Sequence, residues 1–234
     1  MERRHEQELY EHSEKVECHR HQERCRNGSA AGRWVDYNIK FPATNEEMQA
    51  VFRRIGIGRR YEEWLITDYD CPDTAIGKVL SEYESLSELN YLAGQIMEMR
   101  ESGEFWQAVL DLGENTGSVR ELINLTENMD CFDYLPGVCS DYDLGYYWIE
   151  ESGCYDTDKL GALANYIDYE GFGRDVRLEE GGIFGDNGYV RSNGGRFVDI
   201  YDGDIENIPE EYRISSSAVP VRSTAPRQTE QPER

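Results

Sequence analysis

The histidines of this 234-residue chain, which are the usual candidates for acid–base chemistry, all lie near its N-terminus. They are His5, His12, His19 and His21, and residues 34–214 contain none. Histidine-based catalytic triads and histidine general bases are therefore excluded from that long region. Carboxylate-only catalysis, of the kind that glycosidases use, stays open, but the sequence does not distinguish two poised carboxylates from 38 solvated ones. We expect a protein that is not an enzyme.

Candidate metal ligands occur in two kinds of segment. Four soft ligands lie within eight residues near the N-terminus, namely Cys18, His19, His21 and Cys25. This set could hold zinc, but its spacing matches no common zinc finger, which favours a polar segment with incidental ligands. Residues 68–70 and 141–143 both read Asp-Tyr-Asp, yet neither continues into an EF-hand loop. The chain also lacks a Walker loop and a dinucleotide-binding glycine pattern, so we expect neither a metal nor a cofactor.

The net charge of the chain is −23, far beyond the few units that solubility requires. Residues 1–33 carry equal numbers of acids and bases, and residues 215–234 are close to neutral. The 181 residues between them hold 14 basic and 38 acidic residues, a net charge of −24. The apolar residues are concentrated there too, so this is a foldable region with an acidic surface. Such a surface repels nucleic acid and anionic membranes, and it favours basic partners.

Carboxylates crowd together in two parts of this region. Residues 82–104 contain six glutamates and a single base, Arg100, and residues 150–158 contain four more acids. Like charges placed close together cost stability, and a surface selected only for solubility would intersperse lysines. This pattern indicates selection for a uniform negative field. The alternative is an acidic surface that is merely solvated.

The cysteines and the hydropathy pattern bear on location. Six cysteines are scattered along a chain that is long enough to need no disulfide framework. No apolar run reaches the length of a signal-peptide core or a membrane span. We expect a cytoplasmic protein with mostly reduced thiols.

The local patterns predict an α+β protein. Residues 33–41 and 61–70 read as strands, and between them Thr44 begins a capping box for an amphipathic helix that Gly56 ends. Two further helices are predicted to begin after Ser85 and after Ser118. Three more are predicted over residues 104–112, 141–152 and 157–170, and Asp141 caps the helix over 141–152. The buried stripe of the helix over 157–170 is formed by Leu160, Leu163, Ala164 and Ile167. Turn signals at 181–182, 186–188 and 193–195 then separate short strands.

These elements group into parts along the chain. We assign 1–25 to a divergent polar N-terminal segment, 26–80 to a small α+β unit, 81–140 to a helical middle domain, 141–214 to a C-terminal α+β domain with short hairpins, and 215–234 to a disordered Ser/Pro-rich tail.

The segment LGALANYIDYEGFGRD, residues 160–175, resembles the signature of the ArdA antirestriction proteins. Four other segments resemble that family in the family's order: GRWVDY at 32–37, YEEWLITDYD at 61–70, SLSELNYLAGQI at 85–96 and DLGYYWIEESG at 143–153. The resemblance covers residues 26–213. Several long matches in register are far more specific than any one short motif.

The resemblance implies a fold and a function. ArdA proteins are encoded on plasmids, conjugative transposons and phages. They are elongated, three-part, usually dimeric mimics of bent B-DNA. They occupy the DNA groove of type I restriction-modification enzymes and so protect incoming DNA, and they are inhibitors rather than enzymes. The expected partners are therefore the methyltransferase core of such an enzyme and a second copy of this chain.

The resemblance also gives the acidic residues a role. The carboxylates that would stand for phosphates are Glu82, Glu84, Glu88, Glu98, Asp141, Asp143, Glu150, Glu151, Asp168, Glu170 and Asp175. Tyr166, Ile167 and Phe172 would supply packing, at a domain or dimer contact, that keeps these charges rigid. An array that is ordered in advance loses less entropy on binding.

One departure from the family lies at the N-terminus. The family opens with a short apolar strand, whereas residues 12–25 read HSEKVECHRHQERC, in which we expect no edge strand. A second functional class also stays open, namely an acidic interaction protein that sequesters another basic DNA-binding or defence protein. Competition between such partners would separate the two.

Overall fold

The computed structural model describes residues 15–19, 37–57, 65–71, 73–99 and 102–215, with residues 15–19 described by their backbone. The predicted disordered tail, apart from Ser215, lies outside these residues, as do the side chains of the possible zinc set. The described part contains helices and two small antiparallel sheets, which confirms the α+β class.

The first sheet has three strands in the order β2–β1–β3. Strand β1 is Lys15–His19, β2 is Tyr37–Lys40 and β3 is Leu65–Asp70. The polar strand β1 pairs antiparallel with both neighbours, so residues 12–25, where no edge strand was expected, contribute the central strand of this sheet. The physical reason is that strand formation depends on neighbours that offer backbone partners, and these lie far away in the sequence.

Helix α1, Asn45–Ile55, follows its predicted boundaries. The Glu47 amide donates to Thr44 Oγ1 at 3.3 Å, and the Thr44 amide donates to Glu47 Oε2 at 2.8 Å, which completes the capping box. Gly56 ends the helix in the left-handed conformation, with φ of 86°. The predicted apolar face is buried: Met48, Val51, Phe52 and Ile55.

Four helices follow in the middle of the chain. They are α2 (Thr74–Gly77), α3 (Leu86–Glu98), α4 (Gly103–Leu112) and α5 (Val119–Thr126). Ser85 and Ser118 accept the backbone amides of Glu88 and Glu121, so both predicted caps form. One cluster of buried residues runs from Ile39 through these helices to Ile208. A second, smaller cluster contains Val138, Leu144 and Tyr189.

The second sheet has the order β4–β6–β5, and all its pairs are antiparallel. Its strands are β4 (Phe132–Pro136), β5 (Ile183–Phe184) and β6 (Gly188–Ser192). Strand β4 comes from the segment assigned to the helical middle, and it pairs with β6 from the C-terminal segment. The sheet therefore ties these two segments together through backbone hydrogen bonds.

Two predicted helices need correction. Helix α6 is Asp141–Tyr146 and continues as a π-helix over Tyr147–Glu151, but its cap is Ser140, whose hydroxyl accepts the Asp143 amide at 3.1 Å. The predicted helix 157–170 is wrong. Residues Thr157–Tyr166 form 3-10 turns that break at Gly161, with φ of 54° and ψ of −126°, and helix α7 is Tyr169–Glu180.

The predicted buried stripe of the 157–170 segment does not exist in this chain. Leu160 is 42% exposed and Leu163 is 67% exposed, while Ala164 and Ile167 are half-buried. The spacing of these residues fits a helix, but Gly161 interrupts it and no other element among the described residues covers the segment. The apolar residues consequently face outward.

Residues 196–215, called the strap below, form no strand after the turn at residues 193–195. They pass back over the middle helices and bury Tyr201 and Ile208. Short 3-10 turns occur at Ile205–Asn207 and Glu210–Tyr212. The strap thus closes the core with side chains and irregular backbone, where a hairpin was expected.

Candidate functional site

The eleven carboxylates of the predicted phosphate-like surface all reach the surface of the chain, to different extents. Seven are exposed: Glu82, Glu98, Glu150, Glu151, Asp168, Glu170 and Asp175. Four are half-buried: Glu84, Glu88, Asp141 and Asp143. They come from the loop before α3, from α3 itself, and from the α6–α7 region, so the fold distributes them over two parts of the molecule.

Tyrosine hydroxyls hold three of these carboxylates. The pairs are Tyr201 to Glu88 at 2.8 Å, Tyr212 to Glu98 at 3.4 Å and Tyr169 to Glu150 at 2.5 Å. The hydrogen bond to Glu150 raises the pKa of Tyr169 to about 12, so this hydroxyl stays a neutral donor at ordinary pH. A neutral donor fixes the position of a carboxylate and leaves its negative charge in place.

Asp141 has a different environment from the other acids. Its Oδ1 lies 2.8 Å from Arg177 Nε, and both side chains are largely buried, at 24% and 29% exposure. The hydrogen bond from Arg177 lowers the pKa of Asp141. This ion pair links α6 to α7 and offsets the charge of Asp141, which therefore contributes less to the negative field than an unpaired carboxylate would.

Other predicted acids take part in local turns and caps. Asp168 is the N-cap of α7 and accepts the Gly171 amide at 2.9 Å. Asp143 Oδ2 accepts the Ser140 hydroxyl at 2.7 Å, and Glu84 accepts the Ser81 hydroxyl at 2.7 Å. All of these donors are neutral, so the acids keep their charge while their side chains are restrained. Negative charge at a helix N-terminus is also favourable.

Two glycines bring the helices of this region unusually close together. A Cβ atom added to Gly173 of α7 would lie 1.8 Å from the Asp141 carbonyl oxygen, and one added to Gly145 of α6 would lie 1.9 Å from the Tyr169 carbonyl oxygen. No side chain fits at either position. Both glycines belong to segments that carry the family resemblance, and in this chain they bring those segments into direct contact. The sequence analysis missed their role, although a glycine inside each helix was a visible signal.

Aromatic side chains surround this helix pair. Tyr142, Tyr146 and Tyr169 form a cluster with ring centroids 5.5 to 6.4 Å apart. Phe172 packs edge-on against Tyr155 at 5.7 Å, so it contributes to packing within the chain. Tyr166 is 84% exposed and Ile167 is half-buried. The structure therefore brings Phe172 into a contact and leaves Tyr166 facing solvent.

Arg191 forms a second, partly buried charge network that the sequence did not reveal. It donates to Glu180 Oε1 at 2.6 Å and to Asp133 Oδ2 at 2.8 Å, and it lies over the Trp148 ring at 5.5 Å. Arg191 and Arg177 thus act inside the fold, as links between elements. Neither of these cations neutralises an exposed acid of the predicted surface.

Metal sites and membrane-spanning helices are both absent from the part of the chain that the structure describes. That part of the chain contains no group of three or more His, Cys, Asp or Glu residues placed to hold a metal ion. It also contains no helix that is both long and apolar enough to cross a membrane.

The fold and this surface define an acidic α+β protein whose carboxylates are held mainly by neutral donors. The model of the antirestriction protein family ArdA matches residues 23–191, and the chain belongs to that family. The match begins close to the start of the expected resemblance and ends before its expected limit at residue 213. No curated protein matched the chain. Family membership implies an antirestriction function and an interaction with restriction enzymes.

Proposed function

We propose that this protein is a DNA mimic that occupies the DNA-binding channel of a type I restriction-modification enzyme. By competing with DNA at the methyltransferase core, in the cytoplasm, it protects the DNA of an incoming mobile element. The observation that carries the proposal is the combination of a net charge of −24 over residues 34–214 with carboxylates restrained by neutral donors.

Restraint of the charges supports mimicry for an energetic reason. Ordering a flexible side chain on binding costs about 0.5–1.5 kcal/mol. Glu88 and Glu150 are already held by tyrosine hydroxyls in the free chain, so part of this cost is met during folding. Phosphates of a duplex are likewise fixed by their backbone, and a basic channel built for them suits charges at fixed positions.

A homodimer is part of the proposal. Two chains of net charge −23 repel each other, so a dimer needs an apolar contact to offset the repulsion. Leu160, Leu163 and Tyr166 are exposed on one segment next to α7, and Ile167 is half-buried beside them. These residues would meet their counterparts in the second chain.

The test is displacement of DNA from a purified type I methyltransferase core bound to labelled duplex, at low and moderate salt. We expect a stoichiometric amount of the protein to release the duplex, and to do so less well at higher salt because counterion release weakens. Two variants test the role of charge: Glu150→Gln with Glu151→Gln removes two exposed charges, and Gln107→Glu adds one elsewhere.

Removing two charges should weaken displacement modestly, because the field is shared among many carboxylates. Affinity that stays constant across salt would contradict mimicry even if inhibition were real. A duplex that stays bound at large protein excess would favour the alternative, in which the acidic surface sequesters another basic DNA-binding or defence protein.

A further inference from the structure

The strap is fastened to the middle helices by buried asparagines. Asn124 pairs with both backbone groups of Tyr201: it accepts the amide at 2.7 Å and donates to the carbonyl at 2.9 Å. Asn128 pairs in the same way with Val198, with both distances at 2.9 Å. Each asparagine side chain forms the hydrogen bonds to the strap backbone that a neighbouring strand would otherwise form. The strap therefore has a fixed position although it is not part of a sheet.

The same arrangement fixes the end of the strap. Asn90 of α3 donates to the Tyr212 carbonyl at 3.0 Å, and the Ile214 amide donates to the Ser87 hydroxyl at 2.9 Å. The Tyr212 ring lies against Gly94, where an added Cβ would come within 2.2 Å of a ring carbon. The absence of a side chain at Gly94 therefore leaves the space that the Tyr212 ring occupies on the surface of α3.

These contacts place the hydroxyls of two strap tyrosines within hydrogen-bonding distance of glutamates of α3. Tyr201 donates to Glu88 at 2.8 Å and Tyr212 donates to Glu98 at 3.4 Å. The two glutamates are ten residues apart, about 15 Å along the helix axis at the usual rise. The strap thus restrains carboxylates at both ends of α3.

The strap lies beyond residue 191, where the family match ends. The effect of the strap on the acidic surface therefore does not follow from family membership, and the contacts of the strap determine it. Burial first, and then the neighbouring carboxylates, raise the pKa values of Tyr201 and Tyr212, so both hydroxyls stay protonated at neutral pH.

We infer that Tyr201 and Tyr212 are positioning residues, which hold Glu88 and Glu98 in the geometry that a basic DNA-binding channel accepts. They act through the glutamates and carry no charge of their own. This inference rests on the proposed function, because it concerns how the mimic achieves its affinity. It assigns to the strap a role in binding as well as in closing the core.

The test compares the full-length wild type with the double variant Tyr201→Phe/Tyr212→Phe in the displacement assay. Each substitution keeps the ring and removes only the hydroxyl. We expect the Kd for the methyltransferase core to rise roughly 5-fold to 100-fold, since two glutamate side chains must now be ordered on binding. The slope of log Kd against log salt should not change, because every carboxylate is retained.

Two controls make the result specific. Tyr91→Phe removes a hydroxyl that donates at 3.3 Å to Glu127, a carboxylate outside the predicted surface, and it should leave Kd unchanged. The binding stoichiometry reports the folded fraction, so a purely structural defect lowers the stoichiometry and leaves Kd alone. If the double variant fails to fold, Tyr212→Phe by itself gives the same comparison, because Tyr212 is only half-buried.

The outcomes are distinguishable. A raised Kd with unchanged stoichiometry and salt slope supports the inference. An unchanged Kd, or lower stoichiometry alone, overturns it while the proposed function stands. Failure of the wild type to displace DNA overturns both, and this is seen before any variant is made.

Discussion

Replacing Gly173 by alanine should destabilise the protein, because this glycine provides space between α6 and α7. The added Cβ would lie 1.8 Å from the Asp141 carbonyl oxygen, whereas ordinary contact begins at 3.4 Å. The obstacle is backbone and cannot rotate away. Relief requires the two helices to separate by about 1.6 Å, which disturbs their packing and the 2.8 Å ion pair between Asp141 and Arg177.

The expected magnitude is a balance of two terms. Overpacking costs about 1–3 kcal/mol, and a clash with rigid backbone belongs at or above the upper end of that range. The higher helix propensity of alanine offsets about 1 kcal/mol of this destabilisation. The net loss in the free energy of unfolding is therefore about 2 kcal/mol or more. For a chain of this size that lowers Tm by roughly 4–8 °C.

Thermal unfolding followed by circular dichroism measures this change. The matched control is Gly77→Ala, since an added Cβ at this helical glycine meets nothing within 4 Å. The control should unfold at or slightly above the wild-type temperature. If Gly173→Ala behaved like the control, the close approach of α6 and α7 would not be needed for stability, and the reasoning would be refuted.

Three other changes test individual polar contacts. Asn124→Asp replaces a donor to the Tyr201 carbonyl with an acceptor and buries a charge. Urea unfolding should therefore show that the free energy of unfolding falls by about 3 kcal/mol or more. Asn165→Asp, at an exposed site, is the control. The pKa of Asp141 is lowered in the folded state, so the stability from its ion pair is present above the unfolded pKa and is lost as pH falls through the folded pKa. The wild type should therefore have a higher Tm than Asp141→Asn at pH 7, and this difference in Tm should disappear in strong acid. Glu150→Gln should bring the pKa of Tyr169 down from about 12 toward its usual value, as read by NMR of its ring carbon; an unchanged pKa would mean that Glu150 is not its partner.

Elements specified by local sequence were predicted well. The caps at Thr44, Ser85 and Ser118 form as expected, because capping depends on residues three positions apart. The 157–170 segment shows where local spacing fails. Its apolar residues match a helical period, but Gly161, with its positive φ, and the lack of a covering element in the part of the chain that the structure describes override the pattern.

Features that depend on distant residues could not be read from the sequence. Strand β1 is polar and exists because β2 and β3 pair with it. The candidate site shows the same limit. The acidic composition and the family resemblance identified its carboxylates, yet nothing local indicates that Asp141 meets an arginine 36 residues away or that strap tyrosines hold glutamates of α3 more than a hundred residues earlier.

The strap also determines when the protein becomes complete during its synthesis. Asn124 and its backbone partners at Tyr201 are 77 residues apart, so at about 5–20 residues per second the ribosome takes about 4–15 s to supply those partners. Throughout that interval the helices that the strap will cover have an open apolar face and unpaired amide side chains. Ile208, which is fully buried in the folded core, is synthesised later still, so the complete core cannot form before that point.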